Sequence, residues 1–263
     1  MPITCTDMLK RIILAFLFSL LLAAIPAWAQ ITLLAHTARN DGTTTTAAIN
    51  TTGATLLVAV LESEGSNPTV SDSQSNTWNY LSYYTPGAGY GDLVIAYSYS
   101  KSGGALSTSG SHTFTVASSY PSIAVTAWSG TLTTSAVYDS TTGNGAYNSS
   151  TESLATGSTG TLSGSGELVI SGWGSNNSSG YSVSSLAVTN VSLLDAPATS
   201  SNENIADAYI VEASTSAVNA TWSWTAGNTD FEVAIAVFKP SSSAAVPSVI
   251  TGSGTIAGSG VIQ

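Results

Sequence analysis

The sequence predicts an all-β protein: an antiparallel two-sheet sandwich, jelly-roll-like, of about a dozen short strands behind an N-terminal signal helix. Three observations predict it. The chain after the first 29 residues is rich in Ser, Thr, Gly, Val, Ala and Tyr and poor in Lys, Glu and Arg, a mix that suits strands and turns. No apolar stripe at helical period runs beyond about two turns. Short apolar or alternating runs recur instead, separated by Gly, Asn, Ser and Asp.

Residues 1–29 read as a secretory signal peptide. Lys10 and Arg11 precede the apolar run IILAFLFSLLLAAIPA, and Ala27 and Ala29 put small residues at the −3 and −1 positions of a cleavage site. The apolar run is short for a membrane span. Met8 offers a second start, since MLKRIILAF is already a complete signal beginning. The expected product is secreted, with no membrane association after cleavage. Its only cysteine, Cys5, leaves with the signal, so burial and hydrogen bonding must hold the fold without disulfides. Arg39, Lys101 and Lys239 are the cations that remain, against fourteen acids, a net charge of −11. Such a surface repels phosphate backbones and argues against nucleic-acid partners.

Residues 30–240 are expected to form the sandwich. The clearest strands are ATLLVAVLE from Ala54, DLVIAYSYS from Asp92, SHTFTVAS from Ser111 and SIAVTAWSG from Ser122. ELVISGWG from Glu167, NIADAYIVEA from Asn204, NATWSWTA from Asn219 and DFEVAIAVFK from Asp230 follow. ITLLAHT from Ile31, NTWNYLSYY from Asn76 and LAVTNVSLL from Leu186 are weaker. TLLVAVL is apolar on both faces and predicts a central strand. In DFEVAIAVFK, Phe231, Val233, Ile235 and Val237 share the side expected to face the core, and Glu232, Ala234, Ala236 and Phe238 share the other. The small alanines suit a close neighbour or a thinly covered outer face. Residues 241–263 read as a Ser/Ala/Pro linker and a Gly-rich tail in which ITGSGT and IAGSGV repeat at a period of six. That tail is either flexible or a strand-forming repeat for self-association.

Candidate chemistry is sparse. His36 and His112 without cysteine make no usual zinc site. No G-x-S-x-G elbow marks a nucleophile, and no catalytic residue is assigned. Glu62 and Glu64 lie two apart and would point to one side of an extended chain. They suit a solvated strand end, a calcium site, or the two carboxylates of a glycosidase. Asp72 and Asp139 head turns and are placed to bond backbone N–H groups two residues on. Asp72 is the third candidate calcium ligand beside Glu62 and Glu64. Trp78 and Tyr80 are expected to anchor the interior. Tyr83, Tyr84 and Tyr90 flank TPGAG, and Tyr147 and Tyr181 sit in similar loops; these five are candidate ligand-binding rings for a glycan or surface polymer.

Several segments resemble, in order, a family of secreted bacterial and phage-associated β-sandwich modules. They are VSDSQSNTWNY (Val70 to Tyr80), GSHTFTV (Gly110 to Val116), VTAWSG, GELVISG (Gly166 to Gly172), ADAYIV, ATWSW and VAIAVFK. The likeness spans Leu56 to Lys239. It implies a jelly-roll-type sandwich that accompanies other extracellular domains, and no shared catalytic set. Where the family's turn has Gly before Asn-Thr-Trp, this chain has Ser75.

The functions open at this point are a non-enzymatic module that binds glycans or a cell surface, a structural component of a fibre, surface layer or virion, and a glycoside hydrolase.

Overall fold

A computed structural model describes residues 30–40, 45–65, 67–85, 91–146, 153–176, 186–196, 203–224 and 230–241, with the backbone alone for 140–146, 176 and 230. The described residues all belong to one compact unit. The signal segment and the period-six tail lie outside the described residues, as do Tyr90, Tyr147 and Tyr181.

The fold is an antiparallel β-sandwich of two main sheets. The first has the order β1 (Thr32–Arg39), β8 (Ser122–Ser129), β2 (Leu56–Glu62), β5 (Val94–Lys101), β4 (Asn76–Tyr80), with the short β6 (Gly104–Ala105) paired to β5. The second has the order β9 (Tyr138–Ala146), β16 (Asp230–Phe238), β11 (Glu167–Asn176), β14 (Glu203–Glu212), β13 (Ser192–Asp195). Each main sheet carries a small one on its outer face. β3 (Thr69–Asp72) and β7 (Phe114–Ala117) cover the first; β10 (Ser153–Ala155), β15 (Thr221–Ser223) and β12 (Ala187–Thr189) cover the second.

Three dry layers result. Leu56, Val58 and Val60 of β2 meet Leu168 and Ile170 of β11 and Ala234, Ala236 and Phe238 of β16 between the main sheets. Leu57, Ala59 and Leu61 face the other way, onto Val70, Phe114 and Val116. TLLVAVL is apolar on both sides because both sides are covered, and β2 is indeed central. β16 is buried on both faces, and the face expected to meet a core does so. Phe231, Val233, Ile235 and Val237 pack under the outer sheet against Trp222 and Trp224, whereas the alanine side is the one that meets the other main sheet. Small side chains there let the two main sheets approach closely. A methyl group placed on Gly172 of β11 would overlap Val60 Cγ1.

The two halves of the chain repeat one topology. The order β1-β8-β2-β5-β4 is matched by β9-β16-β11-β14-β13, strand for strand. The outer layers match too. β15 lies between β10 and β12, as β7 lies between β3 and the bridges that Thr45 and Ile49 make to Thr115 and His112. The registers Leu56↔Trp128 and Leu168↔Phe238 align the halves, so Val60 corresponds to Gly172 and Glu62 to Gly174. By the same registers Ser122 corresponds to Glu232, and Gly91 to Glu203. Val60 and Glu62 thus lie against their own counterparts, large against small, as expected where a pseudo-twofold axis passes between β2 and β11.

Weaker strand predictions change in detail. NTWNYLSYY stops as a strand at Tyr80, and Tyr84 returns as an isolated bridge to Leu93. LAVTNVSLL divides between an outer and a main sheet, with Asn190 at φ +66° making the turn.

Candidate functional site

Asp72 is the hub of the first constellation. Its side chain is fully buried. Trp78 Nε1 donates to Oδ2 at 2.7 Å. The Gln74 backbone N–H donates to Oδ1 at 2.8 Å, as expected of an Asx turn, and Asn76 Nδ2 does so at 3.2 Å. His112 Nε2 lies 3.0 Å from Oδ1, and its Nδ1 lies 2.9 Å from Thr51 Oγ1. Burial raises the Asp72 pKa, but bonds from His112, Trp78, Gln74 and Asn76 outweigh it and hold the carboxyl below its ordinary value. The VSDSQSNTWNY and GSHTFTV motifs therefore meet at one hydrogen-bonded centre. Thr51, His112 and Asp72 have the connectivity of a nucleophile–base–acid relay. Yet Thr51 and His112 are each 0 % exposed, and the imidazole stacks on Phe114 at 4.4 Å. The arrangement clamps the β3–β4 turn to β7 and offers no open face to a substrate.

The second constellation is a buried group of acids between the main sheets. Glu62 ends β2, Glu203 begins β14 and Glu232 lies in β16; all three are 0 % exposed. Glu62 Oε1 and Oε2 have no hydrogen-bond partner among the described residues. The Glu62 carboxylate fills the space that Gly91 and Gly174 leave, since a methyl on either would overlap it, and Glu232 borders the same position over Gly91. Burial drives the Glu62 pKa well above its ordinary value, and the nearby Glu232, Glu203 and Asp92 drive it further. Asp92 itself accepts a bond from Thr85 Oγ1.

Glu64 does not join this group. It is partly exposed and bridges Gly91. Glu62 and Asp72 pack on opposite sides of the first main sheet, so the three candidate calcium ligands are not brought together. Among the described residues no three His, Cys, Asp or Glu side chains are grouped so as to hold a metal ion.

Other acids have local duties. Lys239 Nζ pairs with Asp139 at 2.6 Å, and Asp139 also accepts from the Ser163 backbone N–H at 3.1 Å. His36 of β1 bonds Asp195 of β13 at 2.8 Å and ties the two main sheets at one edge.

Of the five candidate rings, Tyr83 and Tyr84 are among the described residues, and both are half-buried. Tyr83 stacks near Tyr80 at 6.4 Å, packs on the outer core and donates to the Pro68 carbonyl at 3.3 Å. Tyr84 packs on the core between the main sheets. Successive residues of an extended chain point to opposite faces, so these rings do not form one platform. A separate depression of about 310 Å³ is lined by Asn190, Glu212, Ala217, Val218 and Asn219.

Sequence reasoning singled out Glu62 but missed its partners Glu203, Glu232 and Asp92. The signal for Glu232 was its place on the Ala234–Ala236 side of an apolar strand. No family model, no curated protein and no solved structure matches the chain. The likeness to extracellular sandwich modules rests on its motifs alone.

Proposed function

We propose that the chain is a secreted, non-enzymatic β-sandwich module that binds a glycan or another polymer at a cell surface. The observation that carries this reading is where its reactive groups go. The Thr51–His112–Asp72 relay and the Glu62 group are sealed in dry layers, out of reach of a substrate. The same burial counts against Glu62 and Glu64 as a hydrolytic pair, which needs both carboxyls beside the sugar. The outside offers different chemistry. The half-buried Tyr83 and Tyr84 supply ring edges, and the depression at Asn190, Glu212 and Asn219 supplies amides and a carboxylate, the partners that sugar hydroxyls bond. The acidic balance favours a neutral or cationic polymer over an anionic one.

Binding to a glycan array and to insoluble polysaccharides, with and without calcium, tests the reading. Retention of the wild type and weakened retention of Tyr83→Ala or of the Asn190→Ala/Asn219→Ala pair are expected. No retention on any polymer would overturn it.

A structural role in a fibre, surface layer or virion is the second reading. It is favoured by main sheets whose edge strands β1, β4, β9 and β13 have, among the described residues, a main-sheet neighbour on one side only. An unchanged monomer in light scattering before and after deletion of residues 249–263 would remove its support.

A further inference from the structure

We propose that Glu62 is an acid-state latch between the two main sheets: with its proton on, the carboxyl seats between Gly91 and Gly174, and its ionisation loosens the sandwich.

The geometry comes first. Glu62 lies where β2 crosses β11, against its own counterpart in the duplicated half, so it sits at the seam joining the two halves. Its oxygens are buried and have no hydrogen-bond partner among the described residues. The charged groups that bear on it are Glu232 from β16, Glu203 from β14 and Asp92 just before β5, and all are acids. From β11 it meets Gly174, which brings no charge. From β8 the nearest polar group is Ser122, whose hydroxyl donates to the Glu203 carbonyl at 2.9 Å.

No cationic side chain among the described residues compensates these acids. After residue 29 the whole sequence holds only Arg39, Lys101 and Lys239. Arg39 and Lys101 are exposed on their own strands, and Lys239 is engaged with Asp139. None of these three described cations reaches this seam. An ionised Glu62 would then be a buried charge facing like charges, the least favourable arrangement a carboxylate can have. A neutral carboxyl needs only a local bond for one hydroxyl.

The direction in pH follows. The folded pKa of Glu62 lies above its unfolded value of about 4.5. Its contribution to stability is therefore fully present below that value and is lost as pH rises through the folded pKa. Each carboxyl that releases its proton on unfolding multiplies the unfolding constant by up to about tenfold per pH unit. This is opposite to the behaviour of a salt-bridged surface acid, and it makes the module firmest in mildly acidic surroundings.

Urea unfolding of the mature protein at intervals from pH 5 to pH 9 tests the latch. The wild-type midpoint should fall as pH rises. Glu62→Gln, which copies the protonated acid in size, should have a shallower slope and a higher midpoint than the wild type at pH 8. Glu64→Gln removes the same charge from a partly exposed position and should keep the wild-type slope, which separates the latch from general repulsion in an acidic protein. Should Glu62→Gln fail to fold, Glu232→Gln removes the strongest like-charge neighbour and should flatten the slope in the same sense. A midpoint that rises with pH between 5 and 8, or a Glu62→Gln profile that tracks the wild type, would overturn the proposal. So would a calcium- or magnesium-dependent stabilisation at pH 8 that Glu62→Gln abolishes, since a cation would then occupy the seam.

Discussion

Replacing Asp72 by Asn should be among the most damaging single changes of one atom type in this protein. The carboxylate takes Trp78 Nε1 on Oδ2, and Gln74 N, Asn76 Nδ2 and His112 Nε2 on Oδ1. An amide has one acceptor oxygen. If that oxygen stays at the Oδ1 position, its NH2 faces the Trp78 N–H, and two donors oppose each other in a closed site. The remaining bonds also lose their charge assistance, worth about 1.5–3 kcal/mol for a bond to an ionised group against about 1 kcal/mol for a neutral one. These losses are not additive, and about 3–4 kcal/mol is the expected total. In a domain of this length that lowers Tm by roughly 6–16 °C. Urea unfolding followed by tryptophan fluorescence should show a lower midpoint with an unchanged m-value. The sign in pH is also set. Because the folded Asp72 pKa lies below the unfolded value of about 3.8, its contribution is present above that value and disappears as pH falls through the folded pKa. Asp72→Asn should therefore flatten the acid limb below about pH 4. A loss of less than about 1 kcal/mol at pH 7, or an unchanged acid limb, would refute the hub.

Ser75 stands at φ +57°, a left-handed conformation in which Gly carries no side-chain penalty. Ser75→Gly should raise stability by about 0.5–1 kcal/mol in the same unfolding assay. Trp222 Nε1 donates to Ser171 Oγ at 2.9 Å inside the second half, so Trp222→Phe should cost about 1–3 kcal/mol through an opened cavity and an unmade bond, read as a lower Tm. Lys239→Met leaves Asp139 without its cation in a mostly buried site and should destabilise by about 1–2 kcal/mol at pH 7. Burial raises the Asp139 pKa, but the Lys239 bond and the Ser163 N–H bring the carboxyl below its ordinary value, so the Lys239→Met loss should shrink once pH falls below the wild-type folded pKa.

Much of this fold was legible from alternation alone. β2, β5, β8, β11, β14 and β16 are apolar runs bounded by turn residues, and the doubly apolar β2 announced a covered centre. β9 was not legible, because YDSTTGNGA carries no apolar period, and its pairing with β16 is held by backbone bonds. The duplication was hidden for a related reason. β5 and its counterpart β14 share only Ala and Tyr over Gly91–Tyr99 and Glu203–Val211, and β8 and β16 share only an alanine. The halves keep shape by exchanging large for small across the seam, which erases likeness at the positions that matter most. The sequence marks Asp72 as a turn cap and His112 only as a histidine without cysteine partners. Their bond spans forty residues of sequence, and local pattern cannot report such a contact. The acids around Glu62 are likewise scattered, over two strands and one loop.

The central claim is that two like halves meet face to face where β2 crosses β11. A double-mutant cycle at Val60 and Gly172 tests it most directly. Gly172→Ala should cost about 1–3 kcal/mol by overlap with Val60. Val60→Ala should destabilise by opening a gap. The pair together should be at least about 1 kcal/mol more stable than the sum of the two losses predicts, because the added methyl occupies the space the removed ones leave. Additivity within about 0.5 kcal/mol would contradict the crossing, and with it the duplicated sandwich built around it.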